Sequence, residues 1–326
     1  MTPDSMQEQL TKYLTDAHAI EVQALMQMRA APDLAGTPAL AEPFERHLDE
    51  TAHHEDLIRE RLQARGAKPA VLKDLVAGLT GKGFTGFAAA QPDTPGKLVA
   101  HAFSYEHMEL AAYELIADLA AGAGDGETEE VALGIAAQER AMAERLAASF
   151  DLAAEASLRE VSPDDLRTHI PKYLADAHAI EAQSAELLER APRLAGATEL
   201  AQAYEDHLAE TEEHKHLLAQ RLQALGEDRS SLKDAALRLG ALNWGAFFRA
   251  QPDTPAKLAA FAFAFEHLEI AAYELLERIG RRAGNPETAD LAERILAQER
   301  EAAERIHGLF GAALEASLRE QGVGAR

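Results

Sequence analysis

The sequence contains no cysteine among its 326 residues. Disulfides, thiolate zinc sites and iron–sulfur clusters are therefore excluded, and histidine and carboxylate remain as the strong metal ligands. Basic residues are also scarce, because 32 Lys and Arg stand against 55 Asp and Glu, a formal net charge of −23. Such a surface repels phosphate backbones and attracts cations, so we expect no direct nucleic acid partner.

Long apolar runs and an N-terminal targeting signal are missing as well. No run of about 18 apolar residues occurs, which a membrane-spanning helix would need. The first residues have neither a basic start nor an apolar stretch, which a secretory signal would need. The sequence therefore predicts a protein that has no membrane partner and works in the cytoplasm.

The sequence does have an internal repeat. Tyr13 returns as Tyr173, and the same offset of 160 residues carries many other residues onto their counterparts without an insertion or deletion. The residues kept in both copies are disproportionately Glu and His. Because a repeat of this length has the usual size of a domain, we predict two domains, residues 1–160 and 161–326.

The composition and the positions of Gly and Pro favour an all-α fold. Ala, Leu, Glu and Arg dominate, and Gly and Pro are confined to a few places. In the first copy, Thr37 is the predicted N-cap of the second helix and Gly66 follows its end. Helices A to D are predicted at residues 5–30, 37–65, 96–121 and 127–160, with a short helix near 70–79 in the long connection between B and C. This layout predicts two tandem ferritin-like four-helix bundles, each with a long crossover that contains a short helix between B and C.

Helical spacing places the repeated glutamates on apolar faces, one at mid-height of each helix. A solvated face is the alternative, but the apolar neighbours and the recurrence in both copies argue against it. Burying an unpaired carboxylate costs about several kcal/mol, so positive charge must lie between them. We find no Lys or Arg at these heights, so a pair of divalent cations is the simplest partner. The four carboxylates of the first copy are Glu21, Glu50, Glu106 and Glu139.

The nitrogen ligands depart from the Glu-x-x-His pattern of known di-metal bundles, because Met142 and Ala302 occupy one of the slots. Instead, both copies place a histidine three residues before the helix B glutamate and another four residues after it. We favour the first as a ligand and the second as a ligand or its hydrogen-bond partner, with hydrogen-bonded core histidines as the alternative. Helix C adds a second carboxylate. The predicted metal residues are Glu21, His47, Glu50, His54, Glu106, Glu109 and Glu139, with Glu181, His207, Glu210, His214, Glu266, Glu269 and Glu299.

Other repeated residues are expected to support the site. Tyr113 and Tyr273 should donate hydrogen bonds to a carboxylate from the core, with a redox role as the alternative. His18 is expected beside the ligands or on a partly exposed face. His107 points about 100° away from Glu106 around the helix, so we expect it to pack against a neighbour or the other domain.

Four segments present in both copies resemble a known family. They are Asp-Ala-His-Ala-Ile-Glu-x-Gln, His-Leu-x-Glu-Thr, Glu-His-x-Glu-(Leu/Ile)-Ala-Ala-Tyr and Gln-Glu-Arg, and they look like those of the YciE/YciF-type bacterial ferritin-like proteins, a family of domains of unknown function. The resemblance covers essentially the whole chain as two fused copies. It implies a carboxylate-rich metal centre and a link to stress responses. By that likeness the ligands are Glu21, His47, Glu50, Glu106, Glu109 and Glu139, with Glu181, His207, Glu210, Glu266, Glu269 and Glu299.

These observations predict two iron or manganese ions per bundle, with iron favoured. The first hypothesis is a di-iron oxidoreductase, either a ferroxidase or a peroxide-handling protein, acting on dioxygen or peroxide without catalytic residues beyond the metal ligands. A non-catalytic, metal-stapled structural or interaction module is the alternative, and a manganese catalase-like activity is a further one. Fusion is expected to convert a homodimer contact into an internal pseudo-dimer, with further homo-oligomers possible.

Overall fold

The computed structural model describes residues 6–68, 94–159, 161–162, 165–227 and 254–323. Over these ranges the regular structure is helical, without a strand. The chain divides into two compact units, and the division falls after Arg159. Each unit is a four-helix bundle followed by a short helix, so the predicted all-α tandem fold is confirmed. None of the helices within the described ranges is long and apolar enough to cross a membrane.

Four long helices form a closed ring in each unit. In the first unit α1 packs on α2 and α3, and α4 packs on α3 and α2; the second unit repeats these contacts. The helices of the first unit are α1 Met6–Leu34, α2 Pro38–Ala64, α3 Thr94–Ala123, α4 Gly126–Ala148 and α5 Phe150–Ser157. Those of the second are α6 Leu166–Leu188, α7 Thr198–Ala224, α8 Thr254–Arg282, α9 Pro286–His307 and α10 Phe310–Glu320.

The helix directions follow from contacts at the two ends of the first bundle. At one end, the Gln7 side chain donates to the Ala123 carbonyl at 2.6 Å, and Arg65 donates to the Gln7 carbonyl at 2.8 Å. At the other end, a Cβ on Gly36 would lie 3.1 Å from Pro95 Cγ. The starts of α2 and α3 therefore lie together, as do their ends, so these two helices run parallel.

Parallel α2 and α3 place the end of one and the start of the other at opposite ends of the bundle. The predicted long crossover needs this arrangement, which an up-down-up-down bundle would not have. The predicted short helix near residues 70–79, and its counterpart in the second copy, lie outside the described residues.

The second helix has the predicted ends. The Thr37 side chain accepts a hydrogen bond from the Leu40 amide at 3.2 Å, Pro38 occupies the first turn, and Gly66 follows with a φ of 71°. Only a residue without a Cβ adopts this left-handed conformation at no steric cost.

The first and fourth helices differ from the sequence prediction. The first continues to Leu34 with Pro32 inside its last turns. The fourth ends at Ala148, because the Ser149 hydroxyl and amide both bond the Leu146 carbonyl, at 2.7 and 2.9 Å. The chain then turns into α5, whose Ser157 hydroxyl accepts from the Gly96 amide at 2.8 Å.

Apolar layers lie above and below a polar layer in the first bundle. Leu14 and Met28 on α1, and Phe44 and Ile58 on α2, are buried with at most 1% of their surface exposed. Burying each such side chain contributes about 1.5–3 kcal/mol, so these layers fix the height at which the polar side chains meet.

Candidate metal centres

Six acidic and histidine side chains meet in the polar layer of each bundle. They come from all four long helices, and each is at most 1% exposed. The first cluster consists of Glu21 on α1, His47 and His54 on α2, Glu106 and Glu109 on α3, and Glu139 on α4. The second cluster consists of Glu181, His207, His214, Glu266, Glu269 and Glu299, each 160 positions later.

One half of the first cluster is built around His47. Its Nε2 atom lies 3.0 Å from Glu106 Oε2 and 3.1 Å from Glu139 Oε2. These three side chains can each offer one ligand atom to a common metal ion. The donors come from α2, α3 and α4, so the ion would tie three helices together.

The other half is built around His54. Its Nδ1 atom lies 2.8 Å from Glu139 Oε1 and 3.8 Å from Glu21 Oε1, and these three residues form a second possible metal site. Glu139 belongs to both halves, with one carboxylate oxygen facing each histidine. A bridging carboxylate between two ions has this arrangement.

Most polar atoms that face the centre of the first cluster have no hydrogen-bond partner among the described residues. These atoms include both carboxylate oxygens of Glu106, Glu109 and Glu139, with His47 Nε2 and His54 Nδ1. The contacts between them are short but are not aligned as hydrogen bonds. Buried polar groups are normally satisfied, so converging carboxylate oxygens without aligned donors fit metal ions well.

Each histidine is held through its second ring nitrogen. His47 Nδ1 lies 2.9 Å from Glu50 Oε2, and His54 Nε2 contacts the Gln138 amide oxygen. Both partners are hydrogen-bond acceptors, so each ring nitrogen on this side must carry the proton. The opposite nitrogen of each neutral ring then presents its lone pair to the cluster, as a metal-ligating histidine does.

The structure does not bring Glu50 and Glu210 into the clusters. The Glu50 side chain is 21% exposed, and its carboxylate accepts from Arg145 at 2.9 Å and from Arg46 at 3.3 Å. Glu210 is 30% exposed and accepts from Arg305 at 2.8 Å. Both glutamates instead contact the outer nitrogen of a cluster histidine. The other twelve predicted metal residues are the members of the two clusters.

The second cluster repeats the first with small shifts. His207 Nε2 lies 2.8 Å from Glu266 Oε2 and 3.6 Å from Glu299 Oε2. His214 Nδ1 lies 2.8 Å from Glu299 Oε1 and 3.4 Å from Glu181 Oε1. Glu299 therefore occupies the shared position.

The fourth glutamate of the second cluster is also within reach of a common ion. Glu269 joins Glu266, Glu299 and His207 as a possible set of four ligands. Its counterpart Glu109 is equally buried, so each bundle supplies four carboxylates to the polar layer.

Burial and mutual repulsion favour the protonated form of three carboxylates of the first cluster when no metal is bound. Burial and the charge of Glu139 raise the pKa of Glu21 to about 8, and burial raises that of Glu106 to about 7. The pKa of Glu109 is raised well above its usual range by burial and by Glu139. These groups hold protons near neutral pH that a metal ion would displace.

The histidines provide positive charge in the absence of metal. Burial lowers the pKa of His47, but the charges of Glu106 and Glu139 outweigh it and raise the pKa to about 12. Likewise, Glu139 and Glu21 raise the pKa of His54 against its burial. No Lys or Arg pairs with a cluster glutamate in the part of the chain that the structure describes. In the metal-free cluster, bound protons therefore offset the carboxylate charge that cations would offset in the loaded site.

Two repeated tyrosines bond cluster glutamates, whereas His18 and His107 lie outside the cluster. The Tyr113 and Tyr273 hydroxyls donate to Glu21 and Glu181, as expected. His18 lies outside the cluster, with its Nε2 atom 2.8 Å from Glu55 Oε1. The outward His107 donates from Nδ1 to the Phe103 carbonyl at 2.7 Å.

Sequence reasoning missed two supporting contacts. Gln138 holds His54, and Arg145 holds Glu50. Both recur in the second copy, as Gln298 and Arg305. Their recurrence in both copies is a signal that the sequence contains. Helical spacing alone, however, does not distinguish a polar residue that holds a ligand from one that is solvated.

The comparison with known families agrees with the sequence resemblance. The family model described as "Domain of unknown function (DUF892)" matches residues 5–158 and again residues 165–319. The chain therefore belongs to this family, as a tandem duplication of its domain. No solved structure matches the chain.

Proposed function

We propose that each bundle binds two divalent metal ions, with iron favoured over manganese, and that the protein oxidises iron with dioxygen or peroxide in a stress response. Charge supports the number of ions. Four buried carboxylates in a cluster carry four negative charges, which two divalent ions and two neutral histidines would balance.

The observation that carries the proposal is the position of Glu139. Its two oxygens face different histidines, at 3.1 Å from His47 Nε2 and 2.8 Å from His54 Nδ1. A single mononuclear site would not need the second histidine, and a structural hydrogen-bond network would not leave both oxygens without aligned donors. Two ions that share one carboxylate account for both features.

The donor set supports iron over manganese. Each proposed ion receives one imidazole nitrogen and several carboxylate oxygens, and imidazole suits iron while an all-oxygen set suits manganese or magnesium. Bound iron would supply electrons and an open coordination position for dioxygen or peroxide.

The protein's own side chains would position the ions and exclude water. Glu50 and Gln138 fix which nitrogen of each histidine faces the cluster. Tyr113 holds the Glu21 carboxylate by a hydrogen bond, so this ligand is oriented before metal arrives. The apolar layers around the cluster strengthen the attraction between carboxylates and cations.

The test is anaerobic Fe(II) titration of the full chain, followed by air or peroxide. We expect about two iron ions per bundle and a ferric absorbance after the oxidant is added. In the double variant Glu139→Gln with Glu299→Gln, both signals should be lost while circular dichroism stays unchanged. Glu45→Gln, an exposed change on α2, is the matched control.

Other outcomes favour the other hypotheses. Iron that binds at this stoichiometry but never oxidises would favour a metal-stapled structural module. Oxygen evolution from peroxide by the manganese-loaded protein would favour a catalase-like activity. Failure of iron, manganese and cobalt to bind would contradict the proposal in every form.

A further inference from the structure

Tyr204 on α7 has a buried hydroxyl without a hydrogen-bond partner among the described residues. The side chain is 0% exposed, so bulk water does not reach the hydroxyl. Position 44, its counterpart in the first unit, is Phe44, which is also 0% exposed. The hydroxyl is thus the chemical difference between two equally buried rings.

Tyr204 lies one helical turn from a member of the second cluster. Tyr204 precedes His207 by three residues, so both side chains lie on the same face of α7. Burial and the nearby Glu266 carboxylate raise the pKa of Tyr204. The ring is therefore on the face of α7 that supplies His207 to the cluster.

Packing does not account for this hydroxyl. The first unit shows that phenylalanine fills the same position, and a buried hydroxyl without a partner destabilises the folded protein. The other tyrosines at the clusters do have acceptors: Tyr273 donates to Glu181, and Tyr105 donates to the Ile20 carbonyl. Among the tyrosines described at the two clusters, Tyr204 is the one whose hydroxyl has no acceptor.

We propose that the Tyr204 hydroxyl donates a hydrogen bond to a small anionic or oxygen-containing ligand on the metal ion held by His207 and Glu266. The first cluster lacks this donor, so the two clusters bind such ligands with different affinity. The inference rests on the proposed metal binding and adds a ligand contact that distinguishes the second cluster.

The test uses Co(II), which reports binding by its visible absorption, and azide as the small ligand. Glu139→Gln leaves the second cluster to be measured alone, and Glu299→Gln leaves the first. In the Glu139→Gln background, Tyr204→Phe should weaken azide binding about tenfold, as expected for one lost hydrogen bond to a charged ligand. The Co(II) affinity should not change.

The reciprocal variant is the control. In the Glu299→Gln background, Phe44→Tyr should tighten azide binding at the first cluster by a similar factor. This second variant also carries the test if Tyr204→Phe does not fold, which thermal unfolding would reveal.

The outcomes separate this inference from the proposed function. Absence of Co(II) binding contradicts both. Normal Co(II) binding with azide affinity unchanged by either substitution overturns the role of Tyr204 and leaves the metal clusters in place. A change in Co(II) affinity alone would also overturn it, because the hydroxyl would then bond a ligand carboxylate, as Tyr273 does.

Discussion

The two units keep the same cluster inside different surroundings. All six members of the first cluster recur in the second, with similar burial and similar contacts. Around them, Ala24 is replaced by Ser184, whose hydroxyl contacts Glu269 at 3.4 Å, and Glu55 is replaced by Lys215. The two units therefore keep every member of the cluster while several neighbouring residues differ.

The support of the first histidine also differs between the units. Glu50 accepts from both Arg46 and Arg145, whereas position 206, the counterpart of Arg46, is Asp206. The contact from His207 Nδ1 to Glu210 is 3.1 Å, against 2.9 Å for its counterpart in the first unit. We infer that the ring of His207 is held less firmly.

The largest expected effect comes from removing the shared carboxylate of one unit. Glu139→Gln should abolish binding of both ions in the first cluster, because each half loses a ligand, and should leave the second cluster intact. Metal content per chain should fall by about half. Glu299→Gln should do the same for the second unit. Loss of a quarter of the metal, measured by elemental analysis, would show that Glu139 does not bridge.

The next effect is a rise of metal affinity with pH in both units. Each proton displaced from a cluster contributes about a tenfold increase in affinity per pH unit while that group is protonated. Co(II) titrations of the two single-cluster variants between about pH 6 and pH 8 would measure it. A Co(II) affinity that does not change with pH in one unit would show that the two clusters are not equivalent.

The stability of the metal-free protein should change with pH in the opposite direction to the metal affinity. Burial raises the pKa of Glu21 to about 8 from 4.5, so the folded protein keeps a proton that the unfolded chain loses. His47 acts in the same direction, because nearby carboxylates raise its pKa to about 12 from 6.5. The free energy of unfolding therefore falls as pH rises above about 5.

Glu139 opposes this trend only in acid. The two histidines hold its pKa well below its usual range, so its contribution to stability is lost at pH values below about 4.

Because the metal-free protein loses stability as pH rises while metal affinity increases, calorimetry should show the difference in Tm between loaded and metal-free protein widening from about pH 6 to pH 8. A difference that narrows over this range would contradict proton displacement.

A smaller effect is expected from the glutamates that hold the histidines. Glu50→Gln should lower Co(II) affinity about 10–100-fold at the first cluster, because the amide can present its NH₂ group to His47 Nδ1 and favour the wrong tautomer. Glu210→Gln should have a smaller effect, since His207 is held less firmly. Glu45→Gln is the exposed control. Equal losses of Co(II) affinity in the two units would show that Arg46 does not contribute to the support of His47.

The sequence alone was sufficient to predict the fold and the residues that form most of each cluster. The repeat acted as a two-sequence alignment, and helical spacing separated buried from exposed faces, so Glu21, Glu106 and Glu139 were found on apolar stripes. Pro32 and Ser149 show what local signals did not resolve. The first lies inside a helix that was expected to end before it, and the second ends a helix that was expected to continue.

Glu50 shows the limit of spacing arguments for the site. It lies near the same stripe of α2 as His47 and His54, yet its carboxylate points toward Arg145 on α4. Whether a side chain at the edge of a stripe turns inward depends on partners from other helices, which one helix's periodicity does not contain. The uncommitted hydroxyl of Tyr204 was missed for the same reason.

The smallest expected effect concerns a contact that the two units share. The Tyr113 hydroxyl donates to Glu21, and the Tyr273 hydroxyl donates to Glu181. Replacing either tyrosine with phenylalanine removes one charge-assisted hydrogen bond from a ligand, which corresponds to about 1–2 kcal/mol and roughly a tenfold loss of Co(II) affinity in that unit. Absorbance titration of the single-cluster variants would measure both losses.

Tyr105→Phe is the matched control for this contact, because its hydroxyl bonds the Ile20 carbonyl at 3.1 Å and not a carboxylate. The second unit already carries Phe265 at that position, so the substitution is compatible with the bundle. It should leave Co(II) affinity within about twofold, since no ligand loses a hydrogen bond. If Tyr105→Phe weakened binding as much as Tyr113→Phe, the loss would reflect general loosening of the core, and the hydrogen bond to Glu21 would have no special role in orienting the ligand.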